Sequence, residues 1–317
     1  VPPEACNANW SYDPSFTAAI VLAILFGMLT FAHLTLAIIY RKRFCWVIVM
    51  ATAWEFAAFI LRAAGSRNQQ SEALSTASQL LFLLAPLWIN AFVYMTAGRL
   101  IYTFHPNKRV WAIKAISLGK WFVWLDIVSF LIQATGGTML NPSNDEKTMD
   151  LGKKIYMSGV GVQQGFIILF LALIVKFHMD ALALDRQGLL PTGASNGRKS
   201  PMWKWLTYSL YVVLALITMR IVFRLVEFSG GVDPANNKLP FEEKYALGLD
   251  AFPMVLAVLI LAVLHPGMVL KGPESEFPTR KERKAEKKAV KAEKKEMKKA
   301  RREGRSDIEM NASYARV

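Results

Sequence analysis

Seven apolar stretches of about 20 residues or more, separated by charged or Gly-, Pro- and Asn-rich segments, decide what this chain can fold into. At 1.5 Å rise per residue, a helix of about 20 residues spans the roughly 30 Å hydrocarbon layer of a bilayer, and such runs are longer than ordinary core helices need. The stretches run Phe16 to Tyr40, Phe44 to Ala64, Ala77 to Phe104, Ala115 to Thr135, Ile155 to Phe177, Trp205 to Phe228 and Tyr245 to Leu270. The first carries no ionised side chain; the second, fourth and sixth do, yet keep enough Leu, Ile, Val, Phe and Trp to cross. The expected fold is therefore all-α, a polytopic bundle of seven transmembrane helices. With 53% apolar residues, and a positive mean hydropathy of +0.27 despite 38 Lys and Arg, the composition excludes a disordered or disulfide-built protein.

Basic loops resist translocation, so they set the orientation. One side carries Arg41, Lys42, Arg43, Lys108, Arg109, Lys114, Lys176, Arg186, Arg198, Lys199 and Lys204, and the other only Arg67, Lys147, Lys153, Lys154, Lys238 and Lys244. The N-terminus is expected outside and the C-terminus in the cytoplasm. Residues 1–15 then form a short extracellular N-terminus, which holds the sequon Asn9-Trp10-Ser11, and 16–270 the membrane domain. The chain opens on Val1 rather than Met, as it would after removal of an upstream segment. Cys6 and Cys45 fall on opposite sides, so no intrachain disulfide is expected. Residues 271–317 hold 16 Lys and Arg against 9 Asp and Glu, about half of the chain's net +14. Many like charges lie four apart, as in Arg283/Lys287/Lys291, which disfavours an isolated helix. This basic cytoplasmic tail is expected to be disordered, and an anionic leaflet is a partner that would relieve its repulsion.

Ionisable groups in the hydrocarbon are expensive and normally face the bundle interior. Here they are numerous: Glu55 and Arg62, Gln79, Asn90 and Arg99, Lys120, Asp126 and Gln133, Gln163 and Gln164, then Arg220, Arg224 and Glu227 in one stripe, and Asp250. Counting from helix ends puts Arg62, Gln133, Gln163, Arg224, Glu227 and Asp250 at similar depth. One reading makes them packing ion pairs, Arg224 with Glu227 and Arg220 with Asp126 or Asp250. The other makes them the lining of a polar cavity for an amphiphile's head group, and it gains from the low net return of each buried pair. Pro86 and Pro253 interrupt the third and seventh helices, the latter at the turn carrying Asp250. Gly161 and Gly165 form a G-x-x-x-G pair suited to close helix packing.

Several functions are disfavoured by what is missing. The seventh helix has no lysine between Ala246 and Leu270 for a retinal Schiff base. The third reads Gly98-Arg99-Leu100-Ile101-Tyr102, without the acidic-Arg-Tyr triplet of rhodopsin-like receptors. His33, His105, His178 and His265 are not paired at the i+3 or i+4 spacing of a zinc site. Gly193 to Ser200 imitates a phosphate loop with the wrong spacing and context. Neither catalysis, a metal, a cofactor nor a nucleic-acid partner is expected.

The residues resemble the RTA-like lipid-translocating exporters, a family of fungal seven-helix membrane proteins. The resemblance spans Tyr12 to about Pro278. It rests on Tyr12-x-Pro14-Ser15, Leu84-Ala85-Pro86 through Tyr94 to Gly98-Arg99, Asp126-x-x-Ser129, Gln133-x-x-Gly136-Gly137, and Gly152 through Gly159-x-x-x-Gln163. It continues with Arg220-x-x-x-Arg224-x-x-Glu227-Phe228, Glu242 or Glu243, Tyr245, Asp250 and His265-Pro266-Gly267. The resemblance implies plasma-membrane or endomembrane residence and movement of lipid-like amphiphiles such as sphingoid bases. On that basis the pathway candidates are Glu55, Arg62, Asn90, Asp126, Gln133, Gln163, Arg220, Arg224, Glu227 and Asp250, with Glu55, Asp126 and Asp250 available to a cationic amine. Arg224→Ala and Asp250→Asn should each lose export of labelled sphingoid base while still reaching the membrane. The alternative is a seven-helix amphiphile sensor that signals through its basic inner face.

Overall fold

A computed structural model describes residues 10, 12–140, 145–190, 202–229, 237–272 and 275–279, with 281–285, 288–289, 291–292 and 295–297 in the tail. Cys6, most of the sequon and the Gly193–Ser200 segment lie outside the described residues. Among the described residues the chain is all-helical apart from one very short hairpin, and seven helices are long and apolar enough to cross a membrane. These are α1 (Phe16–Tyr40), α2 (Trp46–Arg67), α3 (Glu72–Phe104), α4 (Ala115–Met139), α5 (Glu146–Arg186), α6 (Met202–Ser229) and a composite seventh span over Glu243–Val269. Each span packs on the next, the seventh returns to α1, and α3 also touches α5 and α6. Tyr94, Phe92, Ile89, Leu100 and Ile101 of α3 are inaccessible, while Phe31, Ile38, Trp121 and Trp124 point away from the bundle.

Helix ends follow local chemistry more than hydropathy. The Ser15 hydroxyl caps α1 by accepting from the Ala18 amide, and α1 keeps the boundaries its apolar run implies. Helix α5 is longer than its apolar run by nine residues at each end. Asp145 caps it, accepting from the Thr148 hydroxyl (2.6 Å) and amide (3.2 Å), bonds that hold this carboxyl below the usual carboxylate range. Asp150 with Lys154 and Lys176 with Asp180 then form i,i+4 pairs on the extensions. Between α3 and α4 the short hairpin pairs β1 (Arg109–Val110) with β2 (Ile113–Lys114), an element absent from the sequence reading.

The two prolines act differently. Helix α3 runs unbroken through Pro86. The seventh span is instead built from a helical turn, α7 (Glu243–Ala246), a π turn over Leu247–Ala251, α8 (Phe252–Val263) and α9 (Pro266–Val269). The Phe252 amide bonds the Leu247 carbonyl five residues back, just before Pro253, whose nitrogen has no hydrogen to offer. The extra residue sits at the turn of Asp250, as the proline's position suggested.

The glycines correct one expectation. A Cβ on Gly161 or Gly165 would meet nothing within 4 Å, so that G-x-x-x-G pair is not a packing contact within the described bundle. The close approach lies instead between α4 and α5, where a Cβ on Gly136 would come within 2.4 Å of the Tyr156 nitrogen. In His265-Pro266-Gly267, the His265 ring accepts from the Gly267 amide (3.1 Å), and a Cβ on Gly267 would collide with Tyr40 at 2.5 Å.

Candidate functional site

The ten pathway candidates collect into four groups. The largest joins three spans. Asp250, raised on the π turn, receives the Arg220 Nε at one carboxylate oxygen and an Arg224 guanidinium nitrogen at the other. One helical turn separates the arginines on α6, so a single carboxylate can bridge them. Arg224 also reaches Glu227 at 3.1 Å, three residues on. Of the pairs read from the sequence, Arg224 with Glu227 and Arg220 with Asp250 are therefore present. Phe82 of α3 lies 5.8 Å from both guanidinium carbons, close enough for a cation–π contribution. Tyr156 of α5, its ring 4.2 Å from that of Phe228, lies within the field of the same charges.

Glu55 of α2 belongs with this group through the fields of Arg220, Asp250 and Arg224. It is inaccessible (0%), and neither carboxyl oxygen has a hydrogen-bond partner among the described residues. Buried polar atoms are nearly always paired, so this bare carboxyl is unusual among the acids of the bundle.

Asp126 stands apart from the arginines. Its Oδ2 accepts from the Asn90 amide at 3.0 Å and the Tyr94 hydroxyl at 2.9 Å, among the rings of Tyr94, Phe122 and Phe170. Gln133 and Gln163 bond to each other at 2.9 Å, across the α4–α5 contact. Similar depth along the helices did not bring them to the charged group.

Arg62 lies in the fourth group, at the end of the bundle where α1 begins. Its guanidinium donates to Glu243 at 2.8 Å and to the Tyr12 hydroxyl at 2.6 Å, beneath the rings of Trp10 and Tyr12. The other Glu243 oxygen accepts from the Ser15 amide at 2.8 Å. This clasp ties the N-terminal segment to α2 and α7. Tyr12, Phe82, Tyr156 and Glu243 were absent from the candidate residues, although Tyr12, Ser15 and Glu243 belong to the family pattern. Arg62→Gln should release the segment: with Cys6→Ser and Pro14→Cys, maleimide should label the now buried position 14 several-fold faster than with Arg62 present, since Cys45 is inaccessible. Equal labelling rates would show that the clasp does not hold the segment.

The histidines also separate by contact. His33 and His265, far apart in sequence, bring their rings within 6.3 Å, whereas His178 meets Tyr211 at 3.1 Å and His105 meets Asp180 at 3.6 Å. Among the described residues, no three His, Cys, Asp or Glu side chains group as a metal site would require.

Comparison with known proteins places this arrangement. The "Probable lipid transporter atnI" of Emericella nidulans is 42% identical over 286 residues, 89% of this chain and 74% of the relative. The "Sphingoid long-chain base transporter RSB1" of Saccharomyces cerevisiae is 23% identical over 303 residues, covering 86% and 78%. "Protoporphyrin uptake protein 1" of the same yeast is 29% identical over 209 residues, 66% of this chain and 64% of the relative. No solved structure matches. The family model of RTA1-like proteins matches residues 48–273, from the first turn of α2 through the seventh span, and so takes in the whole charged group. This multi-pass membrane protein belongs to the RTA1-like family.

Proposed function

We propose that this protein moves a lipid-type amphiphile with a cationic amine, of the sphingoid-base kind, across the membrane toward the outer leaflet or medium. The head group is received at Glu55 and Asp250, among Arg220, Arg224 and Glu227. The reading is carried by the relatives named as lipid and sphingoid-base transporters, which align with 89% and 86% of the chain. The charged group adds a chemical reason: Asp250 already holds two guanidinium groups, and Glu55 is the acid left bare for an amine. In this reading the N-terminus faces outside, the tail lies in the cytoplasm, and the protein resides in the plasma membrane. Purified protein, reconstituted alone, should speed movement of a labelled long-chain amine between leaflets relative to protein-free vesicles. Equal rates would remove the carrier reading and leave a sensor of the same amphiphile.

The tail's excess of seven positive charges fits an anionic leaflet, where each basic residue contributes about 1 kcal/mol. A peptide of residues 276–317 should bind phosphatidylserine vesicles but not neutral ones, and lose binding as salt rises. Equal binding to both would eliminate the lipid contact.

A further inference from the structure

Glu55 differs from every other acid in the charged group and its surroundings. Asp250 is bound by two arginines, Glu227 by Arg224, Asp126 by Asn90 and Tyr94, and Glu243 by Arg62 and the Ser15 amide. Among the described residues Glu55 has no hydrogen bond at either oxygen, and it is fully buried.

Charge counting gives that bareness a meaning. Arg220 and Arg224 contribute two positive charges, and Asp250 and Glu227 two negative ones, so the group is already neutral before Glu55 is counted. An ionised Glu55 would leave one uncompensated anion in a region of low dielectric, which a neutral carboxylic acid avoids. The helices flanking α2 supply no replacement partner. On α1, His33 bonds the Val258 carbonyl and Tyr40 stacks on His265. On α3, Glu72 lies at the helix start, Tyr94 is bound to Asp126, Arg99 donates to the Met95 carbonyl over Phe44, and Tyr102 meets Lys108. Toward the seventh span, Arg62 is held by Glu243 and Tyr12. The charges whose fields reach Glu55 are those of Arg220, Arg224 and Asp250.

We infer that Glu55 holds a proton in the empty protein, and that the cationic head group of the amphiphile displaces it. This rests on the transport reading above and supplies it with a coupling ion. The step balances without any co-reactant. The ammonium group arrives with its own positive charge, the O–H bond of Glu55 breaks heterolytically, and its proton passes to water. The resulting carboxylate pairs with the ammonium, so the site remains neutral. Release of the amine leaves the carboxylate to take a proton from water. If the amine leaves on the side opposite its entry, one proton crosses against each amine.

The test uses full-length protein in lipid nanodiscs at neutral pH, with sphinganine as the amine and its N-acetyl derivative as the uncharged control. Infrared difference spectra of the wild-type protein should show a protonated-carboxyl stretch that is lost on adding sphinganine and kept on adding the control. A pH dye in dilute buffer should report one proton released per amine bound. Glu55→Gln should show neither signal, and because glutamine copies the neutral acid it should keep the wild-type unfolding temperature. Glu55→Asp, which restores a carboxyl, should recover proton release. A wild-type spectrum without the band, or with a band that sphinganine leaves unchanged, overturns the inference, as does a Glu55→Gln protein that still releases the proton. Movement of labelled sphinganine in wild-type vesicles with no imposed pH gradient separates the two ideas. Movement without band loss keeps transport and removes proton exchange; band loss without movement keeps the exchange and removes transport.

Discussion

Neutralising Asp250 and Glu55 together is expected to destabilise the folded bundle by more than the two single changes combined, and either change alone leaves a protein that still inserts. Asp250→Asn takes the shared carboxylate from two guanidinium groups, and breaking a buried pair in this way typically costs about 3–5 kcal/mol. Glu55 lies in the field of the same arginines with no hydrogen bond to lose, so in that variant it can ionise, restore neutrality and offset part of the cost. Glu55→Gln alone leaves two arginines matched by Asp250 and Glu227 and should change stability by less than about 1 kcal/mol. The double variant has two buried guanidinium groups and only Glu227 to match them. Its loss should exceed the sum of the single losses by about 1–3 kcal/mol, the range seen for coupled buried charges. Unfolding temperatures of the four proteins in one detergent, closed as a cycle, measure this directly. Additivity within about 0.5 kcal/mol would show that Glu55 is no reserve anion for the arginines. Both single variants should lose movement of a labelled sphingoid base, Asp250→Asn because its arginines then draw on the carboxylate that the amine needs.

The order of the seven spans was legible because hydropathy reports which residues can sit in hydrocarbon, and α1 shows it best. What hydropathy does not report is where a helix ends, since a helix may continue into water once capped and paired, as α5 does through Asp145, Asp150 and Lys154. The arginine stripe on α6 and the disturbance at Asp250 could be read locally, one from the i,i+4 repeat and the other from Pro253. Partners on different helices could not. Depth along the axis comes from counting residues, but the rotation of each helix does not, and rotation sends Arg62 to Glu243, Asp126 to Tyr94 and Gln133 to Gln163. The isolation of Glu55 is the furthest from the sequence, because it depends on what every neighbouring side chain has already bound.

Replacing Gly136 by valine should separate α4 from α5 and cost far more than a change at Gly161 or Gly165. A Cβ at this position would lie 2.4 Å from the Tyr156 nitrogen, 2.7 Å from the Gly152 carbonyl oxygen and 2.8 Å from the Tyr156 Cα. All three are backbone atoms, so no rotamer change can relieve the clash, and one helix must move as a body. Gly152 faces the same contact from α5, where a Cβ would meet Met139 at 2.6 Å and the Gly136 oxygen at 2.9 Å. Gly159 continues it two turns further, where a Cβ would lie 2.9 Å from the Gln133 side chain. Bilayer lipid is as apolar as the helix faces, so close van der Waals contact is what holds two such helices together. Overpacking a tight interior contact costs about 1–3 kcal/mol even where neighbouring side chains can adapt, and more is expected when the obstacle is backbone. The movement would also carry Tyr156 away from Phe228 and the arginines, and break the Gln133–Gln163 bond. Gly136→Val should therefore lower the unfolding temperature and abolish movement of the amine together. Gly161→Ala is the matched control: its Cβ meets nothing within 4 Å, and alanine favours a helix over glycine by about 0.8–1.0 kcal/mol, so stability should hold or rise. If Gly161→Ala destabilises as much as Gly136→Val, the α4–α5 contact is not the close one, and the placement of Tyr156 beside the charged group fails with it.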